Sequence, residues 1–310
     1  MKLPFETQDV IEEMVNRPLV LSKNMASSNE FNISQEITFL QDGKVSAVYG
    51  RWEVIDGVLR VMSDKGQLIT EFRTLETRKG SVYAVGRNVL EPTGPIVRPI
   101  IHVKKPIGDN FGICISSHVN YEKDAVPRIL RSLEGDGFDM SKVVVVIGND
   151  PTNDGKKEVN PETKVTTVRR KGDIFGLSAL GNIPDCCARP YWLLLHDTCE
   201  ATPGFVANIA GLDVGLNPDI VLIRPTQEKV EFGLYESKFA MKLANIPHDT
   251  HPFDYFKIAT QIAMLVEVVV VPFKKEPEKD VYGKGIRRET VNFGVGLKKY
   301  RAKASDIRNP

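Results

Sequence analysis

The chain has 310 residues, 42% of them hydrophobic and 26% charged, which is the composition of an ordinary folded globular protein. Its 41 basic and 40 acidic residues nearly cancel, which argues against a broad electrostatic surface for nucleic acid, although a local basic pocket stays open. Four cysteines, two of them adjacent, are too few for a disulfide framework in a chain this long.

The apolar stretches of the chain are short. The longest, residues 262–273 (IAMLVEVVVVPF), is interrupted by Glu267, and we expect no integral membrane segment because a spanning helix needs about 20 apolar residues. The first fifteen residues lack the apolar core of a signal peptide. Together with the low cysteine content, these features predict a cytoplasmic protein.

Residues 1–105 are predicted to form a small antiparallel β-meander, an accessory domain rich in strands. Alternating apolar and polar residues are separated by turn signals that end in Gly43, Gly57 and Gly66, where glycine permits a positive φ. Four prolines and two glycines in residues 91–110 predict a boundary near residue 105. Carbohydrate binding, acceptor positioning and oligomerisation, including a homo-oligomer, all remain open for this domain.

Residues 106–310 have the strand–helix alternation of a three-layer α/β domain with a mostly parallel sheet. The run at 143–147 is β-branched without alternation, as in a strand covered on both faces. The predicted strands lie at 111–116, 142–148, 164–170, 191–197, 219–225 and 230–237, and the predicted helices at 124–137, 173–182 and 251–267. The basic, glycine-containing tail after residue 280 is either a lid over a ligand or a solvated segment, and we favour the second.

Polar residues follow each of the first four predicted strands of this domain. Because the carboxyl ends of parallel strands meet at one edge of a sheet, we expect these residues to form a binding site. The four groups are Ser116, Ser117 and His118; Gly148, Asn149 and Asp150; Arg169, Arg170 and Lys171 with Asp173 beyond; and His196 to Glu200.

The first three groups also have a plain structural interpretation. The two serines can begin a turn, Asp150 before Pro151 is an ordinary turn initiator, and the basic loop can be solvated. Asp197 is the strongest functional candidate, because five apolar residues fix its carboxylate at the end of a strand. A carboxylate there, with phosphate oxygens, suits Mg²⁺ or Mn²⁺.

The order FGICISSHVNYEKDAVPRILRSL, KVVVVIGND and YWLLLHDTCEATPGF resembles nucleotide-sugar-dependent glycosyltransferases with the GT-A fold, the family-2-like group and its relatives. The resemblance covers about residues 111–240. It implies that Ser116, with Ser117 or His118, contacts the nucleotide and that Asp150 meets the base or ribose. It also implies that Asp197 is one acid of the D-x-D motif that holds the metal. We add Arg170 and Asp173, beside the third strand end, to the predicted nucleotide-binding set.

The second acid of D-x-D is missing, since residue 195 is Leu and residue 199 is Cys. Asp197 could act alone with water, Glu200 could supply the second carboxylate, or the enzyme could work without metal. In the family a carboxy-terminal histidine often returns to the metal, which implies His251 or His248, although a loop histidine before a helix is an equal alternative. The predicted metal set is Asp197, Glu200 and His251.

The implied reaction is transfer of a sugar from a nucleoside diphosphate sugar to a glycan or other hydroxyl acceptor. A divalent cation, Mn²⁺ or Mg²⁺, would neutralise charge on the leaving diphosphate. An inverting enzyme also needs a carboxylate base near the acceptor hydroxyl. Glu236 is the first candidate and Asp254 the next, with Asp249 also considered. The donor, the acceptor and the stereochemistry remain open.

Two rival functions remain. A nucleotidyltransferase that makes nucleotide sugars shares this layout, but it would usually carry a glycine-rich basic loop after the first strand, and residues 116–124 contain no glycine. The second rival is an inactive, transferase-like binding protein, which the incomplete acid motif leaves open.

Overall fold

The computed structural model forms two compact units. The first contains Met1–Pro106, Asp213–Val221 and Val266–Val271, and the second contains Ile107–Leu212, Leu222–Leu265 and Pro272–Pro310. The described residues are 5–25, 30–46, 50–78, 81–88, 97–174, 176–225, 232–247, 250, 252–263, 268–273, 288–292 and 297–302. The first boundary lies one residue from the predicted one, but the sequence did not indicate the two later segments of the first unit.

The described elements, in chain order, are α1 (Thr7–Glu13), β1 (Leu19–Met25), β2 (Glu30–Ile37), β3 (Arg51–Ile55), β4 (Val58–Met62), β5 (Leu68–Arg78), β6 (Ser81–Asn88), β7 (Val97–Val103), β8 (Phe111–His118), α2 (Ala125–Gly135), β9 (Val143–Gly148), β10 (Lys157–Val159), β11 (Thr166–Arg169), α3 (Leu177–Leu180), β12 (Tyr191–His196), β13 (Cys199–Ala201), α4 (Phe205–Ala210), β14 (Ile220–Pro225), β15 (Phe232–Glu236), α5 (Ser237–Ala244), α6 (Pro252–Ala263), β16 (Val268–Phe273), β17 (Arg288–Asn292) and β18 (Leu297–Ala302).

The strands of the first unit lie in the order β16-β2-β1-β7-β6-β5-β4-β3. All neighbours are antiparallel except β16 and β2, so β3 to β6 form the predicted meander. The β3–β4 turn shows how the sequence sets this topology. Asp56 and Gly57 both have positive φ, 51° and 71°, which is the combination that matches the twist of a two-residue hairpin.

Alternate residues of this sheet pack on opposite faces. One face, which includes Leu59 and Phe72, packs with Val10 and Met14 from and beside α1 in the main core of the unit. The other face carries Tyr83 and Ile100, which pack against Leu216 from the segment Asp213–Val221. This later segment therefore belongs to the first unit because it covers apolar surface there.

A buried pair ties the same segment to β7. The Nε2 atom of His102 lies 2.5 Å from Oδ2 of Asp213, and the two side chains are only 2% and 6% exposed. The other carboxylate oxygen, Oδ1, accepts hydrogen bonds from the backbone N–H of Lys105 and of Gly215, at 2.8 and 3.0 Å. Each oxygen of Asp213 thus has a donor inside the unit.

The strands of the second unit lie in the order β10-β11-β9-β8-β12-β15-β14. The four central strands β11, β9, β8 and β12 run parallel, whereas β10 and β15 are antiparallel to their inner neighbours. The sheet is therefore mixed, with a parallel centre, rather than parallel almost throughout. β13, β18 and β17 form a separate antiparallel sheet. Part of the tail is thus paired strand, so the solvated tail that we favoured is wrong for these residues.

Burial explains the parallel centre. Every residue from Val143 to Gly148 is buried, as are the first seven residues of β8. Trp192 on β12 lies across Gly112 on β8, where a Cβ atom would approach its Cζ3 to 2.4 Å. Only glycine fits that position beside this indole. Among the described residues, no helix has the length and apolarity needed to cross a membrane.

Candidate functional site

The four parallel strands end at one edge of the sheet, as predicted. Ser117 on β8 pairs with Ile147 on β9, which in turn pairs with Arg169 on β11. On the other side, Ser116 pairs with His196, the last residue of β12. The polar groups that follow these strands therefore start from the same level of the sheet.

Asp197 is held at this edge by three hydrogen bonds. Its N–H donates to the carbonyl of Ser116 at 3.0 Å, and its Oδ2 atom accepts from the Ser117 hydroxyl at 2.8 Å. Its own carbonyl accepts from a guanidinium N–H of Arg128 on α2, at 3.1 Å. Within the described part of the chain, Ser117 engages Oδ2, which leaves Oδ1 as the oxygen for a ligand.

Asp150 lies in a more enclosed corner, beyond the end of β9. Its carboxylate accepts from the side chain and the backbone N–H of Asn153, at 3.1 and 3.2 Å, and from Arg169 at 2.9 Å. The Asp150 side chain is 6% exposed. Burial alone raises the pKa of Asp150, but the hydrogen bonds from Asn153 and Arg169 outweigh it and hold the pKa below its ordinary value.

Arg169 connects Asp150 to Glu122, which follows β8. The guanidinium donates to both Glu122 oxygens, at 2.9 and 2.5 Å, and the Glu122 side chain is 28% exposed. The hydrogen bond with Glu122, then that with Asp150, raises the pKa of Arg169. The Glu158 carboxylate lies 3.9 Å from the same guanidinium, so one cation faces three carboxylates. This corner therefore carries a net negative charge, and Arg169 is not a free cation for phosphate.

The loop after β11 crosses the ends of β8 and β9. Asn149 donates its backbone N–H to the carbonyl of Gly172 at 2.9 Å and its side-chain N–H to Asp173 at 2.7 Å. Ser116 donates its hydroxyl to the carbonyl of Ile174 at 3.3 Å. A Cβ atom on Gly148 would lie 2.7 Å from the Ile174 nitrogen, so this close crossing requires glycine.

Two more predicted nucleotide-binding residues have structural partners. Arg170 donates its Nε–H to Asn182 at 2.5 Å. His118 accepts the N–H of Asn120 on its Nδ1 atom at 3.1 Å and lies beside the ring of Tyr121. These contacts fix both side chains near the strand ends, and their roles toward a nucleotide stay predictions.

The two predicted catalytic carboxylates are not brought to this edge. β15 is antiparallel to β12, and Glu236 pairs with Tyr191, the first residue of β12. Five residue steps of about 3.3 Å place it roughly 17 Å along the strand from His196, at the opposite edge. Glu236 thus starts from the other edge of the sheet, and its role as a base stays a prediction. Asp254 lies exposed on α6, 3.8 Å from Lys257, and has no described contact with the strand ends.

The predicted metal set is only partly described. Asp197 stands at the strand end, Glu200 lies on β13 opposite Lys298, and His251, like His248 and Asp249, falls outside the described residues. Within the described ranges, no group of three or more His, Cys, Asp and Glu side chains could hold a metal. The donor set that can be described is thus one strand-end carboxylate, which fits a cation that brings phosphate oxygens with it.

Sequence reasoning missed Glu122, Arg128 and Asn153. Glu122 and Asn153 are polar residues in turns, and Arg128 lies in an amphipathic helix, so nothing in spacing or periodicity separates them from solvated residues. Arg169 was grouped with Arg170 and Lys171 as a basic loop, but its structural partners are the carboxylates of Glu122, Asp150 and Glu158.

No family model matches the sequence, and no curated protein matches it. A Leptospira borgpetersenii cytidylyltransferase is 12% identical, with 53% of this chain and 76% of that chain covered and a TM-score of 0.35. Rv0371c from Mycobacterium tuberculosis, in complex with manganese, is 15% identical, with 56% and 94% covered and a TM-score of 0.36. The Streptococcus pneumoniae glycosyltransferase GlyE is 10% identical, with 51% and 44% covered and a TM-score of 0.33.

The solved structures that the chain resembles thus include both a glycosyltransferase and a nucleotidyltransferase. At these identities and TM-scores, the similarity says nothing about the substrate or about individual residues.

Proposed function

We propose that this chain is a glycosyltransferase, which moves a sugar from a nucleoside diphosphate sugar to a glycan or other hydroxyl acceptor. The observation that carries the proposal is the shared edge at which four parallel strands end in register, with polar side chains at each end. Ligands of open α/β sheets bind at such an edge. The predicted cytoplasmic location and a homo-oligomer remain parts of the proposal.

The corner of Asp150, Arg169 and Glu122 is suited to the nucleoside. Its net negative charge favours groups that donate hydrogen bonds, such as ribose hydroxyls and base N–H groups, and disfavours a phosphate. Glu122 is the more exposed of the two carboxylates, so a ligand would meet Glu122 first and Asp150 behind it.

Asp197 is suited to the diphosphate end through a divalent cation. With Oδ2 held by Ser117, its other oxygen would bind Mn²⁺ or Mg²⁺ that arrives with the nucleotide. The bound cation would supply charge neutralisation on the leaving diphosphate. Glu200 and His251 remain candidates to complete the shell, and Asp254 remains a candidate base.

The test is thermal stabilisation of the full chain by nucleoside diphosphates and nucleotide sugars, with and without Mn²⁺. A ligand at a hundred times its dissociation constant stabilises by about 2.7 kcal/mol. Asp197→Ala should lose the metal-dependent part of the shift and keep the rest. The matched control is Asp109→Ala, which replaces an exposed aspartate in the turn before β8.

If no nucleotide shifted the melting temperature, the proposal would be wrong. A metal-dependent shift that survives in Asp197→Ala would remove this residue from the metal site. Transfer is then assayed with the donor that gives the largest shift. Release of pyrophosphate from a nucleoside triphosphate and a sugar 1-phosphate would identify a nucleotidyltransferase instead.

A further inference from the structure

Two adjacent cysteines and a methionine lie at the opposite edge of the parallel strands, before β12. Cys186 and Cys187 form a 3-10 turn with Ala188, and Met241 lies on α5. The Cys187 Sγ atom is 3.1 Å from the Met241 Sδ atom. Cys187 and Met241 are exposed and Cys186 is half-buried, so a ligand could reach the group from solvent.

The turn that carries the two cysteines is anchored to the sheet. The buried indole of Trp192 donates its Nε1–H to the carbonyl of Cys186 at 2.8 Å. Asp185, which begins the turn, has a φ of 52° and accepts the N–H of Ala188 at 2.9 Å. The backbone beside both thiols is therefore fixed before any ligand arrives.

The turn is also tied to the helix that carries Met241. Ser237, the first residue of α5, donates its N–H to the carbonyl of Pro190 at 2.9 Å and its hydroxyl to the carbonyl of Arg189. Met241 follows one helical turn later on the same helix. The backbone segments that carry the thioether and the thiols are thus joined by hydrogen bonds, which lowers the ordering cost of binding.

The ligand chemistry of this group is specific. Thiolate and thioether sulfur are soft donors, which suit Cu(I) and Zn²⁺, whereas Mg²⁺ and Mn²⁺ prefer oxygen ligands. Structural Zn²⁺ sites use four nitrogen or sulfur ligands and do not use thioether sulfur. Three sulfurs with one thioether therefore suit a soft monovalent cation.

We propose that Cys186, Cys187 and Met241 bind one Cu(I) ion per chain. Each thiol loses its proton to solvent as its sulfur bonds the metal, and the thioether adds a third bond through a lone pair. Two protons are released per ion, the bound group carries one negative charge, and no electron is transferred. The site is separate from the strand-end site and does not depend on the proposed transferase activity.

Binding should strengthen as pH rises, because protons compete with the metal for the thiolates. Burial first, and then the neighbouring Cys187, raises the pKa of the Cys186 thiol, which adds to this competition.

The test is anaerobic titration of the reduced full chain with Cu(I), supplied as a complex with a coloured chelator. The wild type should remove one equivalent from the chelator. Cys187→Ser should remove none, and Met241→Leu should bind at least about tenfold more weakly, a loss of about 1.4 kcal/mol. The matched control is Met140→Leu, which removes a partly exposed thioether elsewhere and should bind like the wild type.

Equal binding by wild type, Cys187→Ser and Met241→Leu would overturn the site, since the copper would then lie on other cysteines. Failure of the wild type to compete with the chelator would also overturn it. Displacement of the bound copper by equimolar Zn²⁺ would contradict the proposed preference for a soft monovalent cation. Unchanged melting temperatures of the variants without copper establish that binding, and not folding, has changed.

Discussion

Each unit contains a buried aspartate that is paired with a basic side chain. The two pairs differ in the groups that surround them. In the first unit, Asp213 is bonded by His102 and by two backbone N–H groups, and both side chains are nearly fully buried. In the second unit, Asp150 is bonded by Arg169, which continues to the more exposed Glu122. A polar network whose remaining partners are backbone groups stabilises the fold. A network that extends to a partly exposed side chain can also bind a ligand.

The first pair, Asp213 with His102, is the closed pair, and it also indicates which nitrogen of His102 carries the proton. Among the described residues, its Nδ1 atom is buried without a hydrogen-bond partner. With the proton on Nε2, the ring donates to Asp213 and only an acceptor is left unsatisfied at Nδ1. A proton on Nδ1 instead would bury an unsatisfied N–H there, which is costly.

The largest effect is expected from breaking the closed pair. Asp213→Ala removes the acceptor for three donors, two of them buried, on His102 and Gly215, and we expect a loss of about 2–6 kcal/mol in the free energy of unfolding, since each buried donor left without a partner costs about 1–3 kcal/mol. Asp213→Asn keeps a carbonyl oxygen for the backbone donors and should lose less. Urea denaturation measures both, and a loss below about 1 kcal/mol for Asp213→Ala would contradict a closed stabilising pair.

A smaller effect is expected from breaking the open pair, which is Asp150 with Arg169. Arg169→Met leaves Asp150 and Glu122 without their shared donor, and we expect a loss of about 1.5–3 kcal/mol, the range for hydrogen bonds to charged groups. Nucleotide-induced stabilisation should fall as well. Arg131→Met, an exposed arginine on α2, is the control and should change neither quantity.

The pH dependence of the open pair follows from Asp150. Because its pKa is lowered in the folded state, its ionisation stabilises the fold above the unfolded pKa, and this contribution is lost as pH falls through the folded pKa. The melting temperature of wild type should exceed that of Asp150→Asn near neutral pH, and the difference should shrink below about pH 4. A difference that is constant from neutral to acid pH would show that the charge of Asp150 is not involved.

The smallest effect on stability is expected at Ser117. Ser117→Ala removes one hydrogen bond to Asp197 and should cost about 1 kcal/mol or less. The metal-dependent part of the nucleotide shift should nevertheless decrease, because the carboxylate is no longer oriented. Ser117→Thr keeps the hydroxyl and should retain that part. Equal metal dependence in both variants would show that Ser117 does not position Asp197.

The sequence predicted the parts of the fold that depend on local pattern. The run Val143–Ile147 without alternation indicated a strand buried on both faces, and the Asp56-Gly57 turn indicated a hairpin. The position of Asp197 followed because a strand end is a local feature. The shared edge of the four polar groups then followed from one general rule about parallel sheets.

The sequence could not predict the features that depend on contacts between residues far apart in the chain. An apolar run does not encode strand direction, so the antiparallel β15, which takes Glu236 to the other edge, was not predicted. The return of Asp213–Val221 to the first unit depends on His102, more than a hundred residues earlier. The sulfur group likewise joins a turn and a helix that no motif connects.

The fit of Trp192 over Gly112 has an evolutionary consequence. A larger residue at 112 leaves no room for the indole, so in related sequences we expect the two positions to change together, with volume conserved between them. Replacement of the indole would also release the carbonyl of Cys186. Lineages that change this pair should therefore lose the adjacent cysteines as well, and an alignment of divergent relatives would show positions 112, 186, 187 and 192 as a linked group.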